Sequence, residues 1–299
     1  IKKSSEDTFQ HIFASSANST TLSSIRIQSN VLSLIAISGG SYENYIFGTI
    51  NMADQSAWYH IVIALDTTQA TAANRVKMYV NGNQVTAFGT STYPTQNVDV
   101  GLFNTTNAQQ IGALATGTYG YFDGYMTDVN FVDGQQLTPS SFGSTNATTG
   151  VWQPARYTGS YGTNGFYLPF TDNSALTTSS NVGLGKDFSG NANYWVTNNI
   201  SITAGVTYDS MTDVPTLTSA TAANFAVLNP LALPPSGYSA GTFLSGNLQL
   251  TTGGVKIAKS TMAIPLTGKW YFECSCSGTS AVIDWVFGLT GMSAATPTN

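Results

Sequence analysis

The segment VKMYVNGNQVTAF, residues 76–88, most constrains what this chain can fold into. Val76, Met78 and Val80 alternate with Lys77 and Tyr79, the two-residue period of a strand with two unlike faces. Asn81-Gly82 then accepts positive φ at both positions, which a two-residue hairpin turn demands. The segment therefore predicts an antiparallel hairpin in which Arg75–Val80 pairs with Gln84–Phe88. Further short runs rich in β-branched and aromatic residues fill the chain: SIRIQS, VLSLIAI, YIFGTI, WYHIVIALD, QQIGAL and YMTDVNFV. Gly, Asn, Asp and Ser separate them, and no long segment carries helical periodicity. This is the spacing of a sandwich or barrel of antiparallel strands.

A length of 299 residues favours two domains. Only 8% of residues are charged, 42% are hydrophobic and 29 are glycine, a composition of sheets joined by polar turns. The net charge of -5, with basic residues clustered nowhere beyond Lys2-Lys3, excludes nucleic acid and an anionic membrane as primary partners. No run approaches the length of a membrane span and no signal-peptide pattern opens the chain, so no membrane insertion is expected. Cys274 and Cys276, on one face of a strand, are expected as reduced structural thiols. A bridge between such near neighbours is strained, and two thiols do not complete a zinc site. The sequons at Asn18, Asn104, Asn146 and Asn199 are what an Asn- and Thr-rich chain gives by chance, and they do not establish secretion.

In YFDGYMTDVNFVDGQQLTPSSFG, residues 121–143, Asp123, Asp128 and Asp133 recur every fifth residue. Tyr125, Thr127, Val129 and Phe131 alternate with Met126, Asp128, Asn130 and Val132, which predicts one strand. Five is an odd interval, so successive aspartates fall on opposite faces and cannot share one ligand. Asp123-Gly124 and Asp133-Gly134 mark the strand's ends, Asp128 is expected to pin neighbouring turns, and Thr138-Pro139 to start a short helical turn.

With those motifs in hand, WYHIVIALDTTQATAANRVKMYVNGNQV resembles the central strands of laminin-G-like and pentraxin-like domains of the concanavalin A-like lectin/glucanase superfamily, through Trp58, His60, Asp66, Tyr79, Val80, Asn81 and Gly82. The 121–143 stretch is similar to the closing strand of such a domain, through Gly124, Asp128, Val129 and Leu137. Residues 149–202 are similar to the extension that follows such domains in structural proteins of tailed bacteriophages and related aquatic viruses. FAVLNPL, LSGNLQLTTGG and GKWYFECSCSGTSAVIDWVFGLTG resemble the opening strands of a SPRY-type domain. IKKSSEDTFQHIFAS resembles the middle of a laminin-G-like domain, so residues are expected to be missing before Ile1, and the partial SPRY pattern implies the same after Asn299.

The resemblance implies an all-β fold: an antiparallel jelly-roll β-sandwich over 1–145, a loop-rich extension over 146–221, and the start of a second β-module over 222–299. It also raises sugar chemistry. Glycosidases need paired carboxylates, and Glu6, Glu43 and Glu273 are too scattered to supply them, so no catalytic residue and no enzyme activity are expected. His60, beside Trp58 in an apolar strand, reads as structural. Calcium, used by several sugar-binding relatives, is the cofactor to test, but the dispersed aspartates and DFSGNAN at 187–193 lack a full ligand set; no metal site is assigned.

Tyr119, Tyr121, Trp152, Tyr157, Tyr161, Tyr167, Tyr194 and Trp195 sit among Gly, Asn and Thr, where rings serve either sugar stacking or loop packing. Tyr119, Tyr121 and Asp123 are the ligand-binding residues expected. The whole reads as a non-enzymatic virion structural protein, a fibre, decoration or tail component. It is expected to be a homo-oligomer located in the virion, with other virion proteins and a host-surface glycan as partners. Two alternatives stand beside it: a purely architectural subunit and a glycan hydrolase.

Overall fold

The computed structural model describes residues 1–4, 8–55, 57–101, 105–114, 120–147, 150–174, 180–202, 209–210, 214–215, 224–229, 241–244, 247–251, 256–262, 269 and 271–275. Two compact units divide the chain, Ile1–Phe225 and Ala226–Asn299.

In the first unit the strands are β1 (Lys2–Lys3), β2 (Phe9–Asn18), β3 (Thr21–Gln28), β4 (Val31–Ser38), β5 (Ser41–Asn51), β6 (Ile61–Leu65), β7 (Val76–Val80), β8 (Asn83–Gln84), β9 (Phe88–Thr92), β10 (Ala108–Ile111), β11 (Gly124–Tyr125), β12 (Val129–Phe131), β13 (Gly143–Thr145), β14 (Trp152–Pro154) and β15 (Phe166–Leu168). The only helical elements among the described residues are two short 3-10 turns, Ala72–Asn74 and Pro139–Ser141. Among these residues no helix is long and apolar enough to cross a membrane. All these strand pairs are antiparallel, and the described residues of this unit form an all-β antiparallel sandwich.

The larger sheet has six strands in the order β10-β2-β3-β4-β5-β9, and the smaller has three in the order β6-β7-β8. Tight turns drive the meander. Ser29 and Asn30, at φ 49° and 64°, close β3 onto β4, and Gly39-Gly40 closes β4 onto β5. Asn81-Gly82, at φ 49° and 80°, closes the expected hairpin, with Val80 opposite Asn83. The pairing is shorter than the alternation predicts. After Val85 donates its N–H to Met78 O the chain leaves the smaller sheet, and Phe88–Thr92 instead becomes the edge strand beside β5 in the larger one.

The core lies between the sheets. Ile25, Ile27, Leu32, Leu34 and Ile46 face Val76, Met78 and Val80, and all are buried. Phe166 and Leu168 complete the same core, and Trp195 packs edge-on against Phe13 and Phe166. The compact unit therefore runs well past residue 145. Strand β15 pairs with β12, β14 pairs with β13, and Phe166, Leu168 and Trp195 join the core from this region.

The single strand expected over 121–133 is two. Asp128, at φ 52°, breaks it: β11 pairs with β1, while β12 pairs with β15. A left-handed residue cannot continue a pleated ladder, so the chain turns between the two partners. Pro139 starts the 3-10 turn as expected, although the Thr138 hydroxyl bonds Ser140 Oγ and caps no backbone N–H.

In the second unit, β16 (Leu228–Asn229) pairs with β19 (Lys259–Ser260), and β17 (Thr242–Leu244) pairs with β18 (Gln249–Thr251). Cys274 is an exposed free thiol rather than a buried structural one, and Cys276 lies outside the described residues.

Candidate functional site

Cross-strand register lays the outward face of the six-stranded sheet out in rungs, because directly paired residues point to the same side. One rung runs His11, Arg26, Ser33, Phe47, Thr90 across β2, β3, β4, β5 and β9. The next runs Gln110, Ala14, Ser24, Ile35, Tyr45, Thr92, and a third Ala108, Ser16, Leu22, Ile37, Tyr42. The β2–β3 half is polar and closed. The β5–β9 half is aromatic and open.

In the closed half, Leu114 packs on Ala14, Leu22 and Ile35, and Gly120 rests against the His11 ring, where a Cβ would collide with it. His11 N donates to Gly120 O and His11 Nδ1 lies 2.6 Å from Ser24 Oγ. Arg26 donates to Gln28 and stacks over the Phe9 ring. Burial, reinforced by the Arg26 charge, lowers the His11 pKa to about 4, so the imidazole is neutral at neutral pH. A neutral histidine bonded to a serine has the form of a base and nucleophile. Here Ser24 is 0% exposed, and His11 Nε2 has no hydrogen-bonded partner among the described residues to orient the ring. The pair does structural work inside the covered face.

In the open half, β5 carries Tyr42, Tyr45 and Phe47 outward while Ile46 points into the core. A bulge between Ala36 and Ile37 brings Tyr42 onto the same side as Tyr45. The Tyr42 and Tyr45 rings are nearly parallel with centroids 4.8 Å apart, and Phe47 follows at 6.2 Å, tilted. Parallel rings in contact sit closer than that when face to face, so these are slid past one another like overlapping tiles, leaving ring surface open. Tyr42 is 52% exposed. Thr90 and Thr92 on β9, both exposed, set hydroxyls beside Phe47 and Tyr45. No Lys, Arg or His lies on β4, β5 or β9, and the sole charge on these strands is the exposed Glu43.

Of the residues expected at a ligand site, Tyr121 is 58% exposed and Asp123 is exposed, while Phe122 between them packs on the core, so both are presented outward. Tyr119 lies outside the described residues. Tyr121 follows Gly120 at the β2 side, so at about 4.8 Å per strand it is separated from the β5 aromatics by roughly 14 Å of sheet. The structure does not join the two groups. Most other loop aromatics pack. Tyr157, Tyr161 and Tyr167 form a buried cluster, Trp195 enters the main core, and Trp152 lies over Gly82 and His60. Tyr194 is partly exposed.

The aspartates act as pins. Asp128 Oδ1 accepts from Tyr167 OH at 2.5 Å, and burial together with that bond raises the phenol's pKa. Asp133 Oδ2 accepts from Asn164 N and Nδ2. In DFSGNAN, Asp187 is 2% exposed and accepts four bonds, from Tyr167 N, Ser189 N, Ser189 Oγ and Asn193 N. The Asn191 and Asn193 amides donate to the carbonyls of Gly162, Thr163 and Gly165. Both Asp187 oxygens are thus answered by protein donors, and the loop is held by its own hydrogen bonds. Among the described residues no three His, Cys, Asp or Glu side chains gather in metal-binding geometry. His60 donates its backbone N–H to Asn81 Oδ1, its ring packs against Trp152, and burial lowers the imidazole pKa to about 4. Glu43 and Glu273 belong to different compact units, and Glu6 lies outside the described residues.

The β5 aromatics escaped the sequence reading because YIFGTI registers only as a strand. Gly39-Gly40 before it was the signal that fixes its register and hence its outward face. Residues 1–141 match the family model Laminin_G_3, described as the concanavalin A-like lectin/glucanases superfamily. No curated protein and no solved structure matches the chain.

Proposed function

We propose, taking a concanavalin A-like lectin-type sandwich over residues 1–141 as the premise, that this protein is a non-enzymatic glycan-adhesion module. The observation that carries the reading is the open ledge of Tyr42, Tyr45 and Phe47 flanked by the Thr90 and Thr92 side chains. Pyranose C–H faces pack on aromatic rings while their hydroxyls seek hydroxyl and amide partners, and the ledge offers both. Such a shallow surface binds weakly per copy, and oligomeric display sums the contacts. The setting we propose is a virion, where the chain is a fibre, decoration or tail component. That setting rests on the likeness of residues 149–202 to the extension in phage structural proteins. A SPRY-like second module belongs to the same proposal.

The test is binding of a multimerised full chain to a glycan array and to candidate host cells, against Tyr42→Ala/Phe47→Ala. Adhesion should fall at least several-fold while the unfolding temperature holds within a few degrees, since Tyr42 is largely solvent-facing. Unchanged adhesion would remove the ledge from the proposal. A purely architectural role gains support from β9, an exposed edge strand free of Lys and Pro that offers backbone groups to a neighbouring subunit. Retained assembly with no glycan bound anywhere favours that second reading.

A further inference from the structure

The ledge also carries information about the kind of glycan, an inference that rests on the adhesion reading above. We infer that its ligand is a neutral, extended glycan recognised along internal sugar units, lying lengthwise on β5, rather than a terminal or acidic sugar. Three observations lead there. The aromatic row follows the strand, with successive centroids 4.8 and 6.2 Å apart, and β9 beside it is exposed from Gly89 to Thr92. A terminal sugar is held by a pocket that encloses it; here Tyr42 overlaps Tyr45 and Phe47 tilts 46° beside it, a stepped row over which a chain can pass.

Charge narrows the class. β4, β5 and β9 contain no cation, Glu43 stands beside Tyr42, and the whole chain carries -5. A uronate, sulfate or sialate would meet no counter-charge on these strands and would be repelled by the carboxylate. The overlapping rings narrow the shape. Near-parallel Tyr42 and Tyr45, with an interplanar angle of 17°, form a surface that changes direction little over the first two rings. That surface matches an equatorially linked, ribbon-like glycan, whose ring faces also stay close to one plane. A coiled α-linked chain turns its faces away within a few units. Thr90 and Thr92, along one flank only, place their hydroxyls against one edge of the ribbon.

The experiment measures binding of the full chain by calorimetry to cello-oligosaccharides from the monosaccharide to the hexamer, to malto-oligosaccharides of the same lengths, and to polygalacturonate. The expected result is no detectable monosaccharide binding, affinity rising with length through about three units and then levelling, and no binding of polygalacturonate. Malto-oligosaccharides should bind at least about fivefold more weakly than cello-oligosaccharides of equal length. Tyr42→Ala should weaken hexamer binding about fivefold, on the scale of one aromatic contact. Monosaccharide binding as tight as the hexamer, preference for polygalacturonate, or equal binding of the two linkage series overturns this inference and leaves glycan adhesion standing. Absence of binding to these probes together with an empty glycan array removes the adhesion reading itself.

Discussion

At the residue scale, Asp187 is the clearest case of a buried polar side chain with both of its oxygens answered. Its four donors come from three residues in two segments, so one carboxylate joins the 187–193 loop to β15. His11 is different in kind, since its burial opposes charging. Its pKa falls from 6.5 to about 4 on folding, so between those values the unfolded chain binds the proton better. Stability from this residue is complete above pH 6.5 and is lost as pH falls towards 4. The loss is up to about 3 kcal/mol. Urea unfolding at pH 7 and pH 4.5 should show the decline, and His11→Gln should reduce its slope, the similarly depressed His60 keeping a share. An unchanged pH slope in that variant would mean other groups carry it.

At the scale of elements, turn chemistry was the most legible part of the sequence. Asn81-Gly82 announced its hairpin because two positive φ angles in succession admit few residue types. Ser29-Asn30 forms a similar turn with a serine that gives little warning. The break at Asp128 was illegible because alternation continues unbroken through it, and only the competing partners β1 and β15 reveal why one strand becomes two. For the ligand site, Tyr121 and Asp123 could be picked as exposed from loop context. The β5 ledge needed the register of three neighbouring strands. Two glycines separate backbone strain from packing. Gly82 and Gly134 share φ 80°, but a Cβ at Gly82 would strike the Trp152 ring while one at Gly134 meets open space. Gly134→Ala should cost about 1 kcal/mol and Gly82→Ala about 2 to 4 kcal/mol, read from denaturant midpoints. Equal costs would show that Trp152 moves aside freely.

At the scale of the whole molecule, the sandwich motifs end near residue 141, yet the core does not. Phe166 and Leu168 are buried with Ile27 and Met78, and β15 pairs with β12. Removing two such side chains costs about 2 to 5 kcal/mol each, against a typical total of about 5 to 15 kcal/mol for a domain. A chain ending at residue 145 should therefore be unfolded or molten, while one ending at 225 should show dispersed amide signals and cooperative melting. Cooperative melting of the shorter chain would assign residues 146–225 a dispensable role. Composition hid this. Residues 149–202 are rich in Gly, Asn, Thr and Ser, as a linker is, and the anchoring rings are too sparse to set a period.

The Gly39-Gly40 turn gives the molecule room to diversify. Both glycines have open space around them, one backbone bond from Gly40 N to Thr20 O ties the turn to its neighbour, and Tyr42 begins the ledge two residues later. Residues inserted there would project beside the aromatic row without entering the core, and the entropy of a longer loop grows slowly with its length. New specificities are thus within reach through loop grafting at a single site, with the scaffold left as it is.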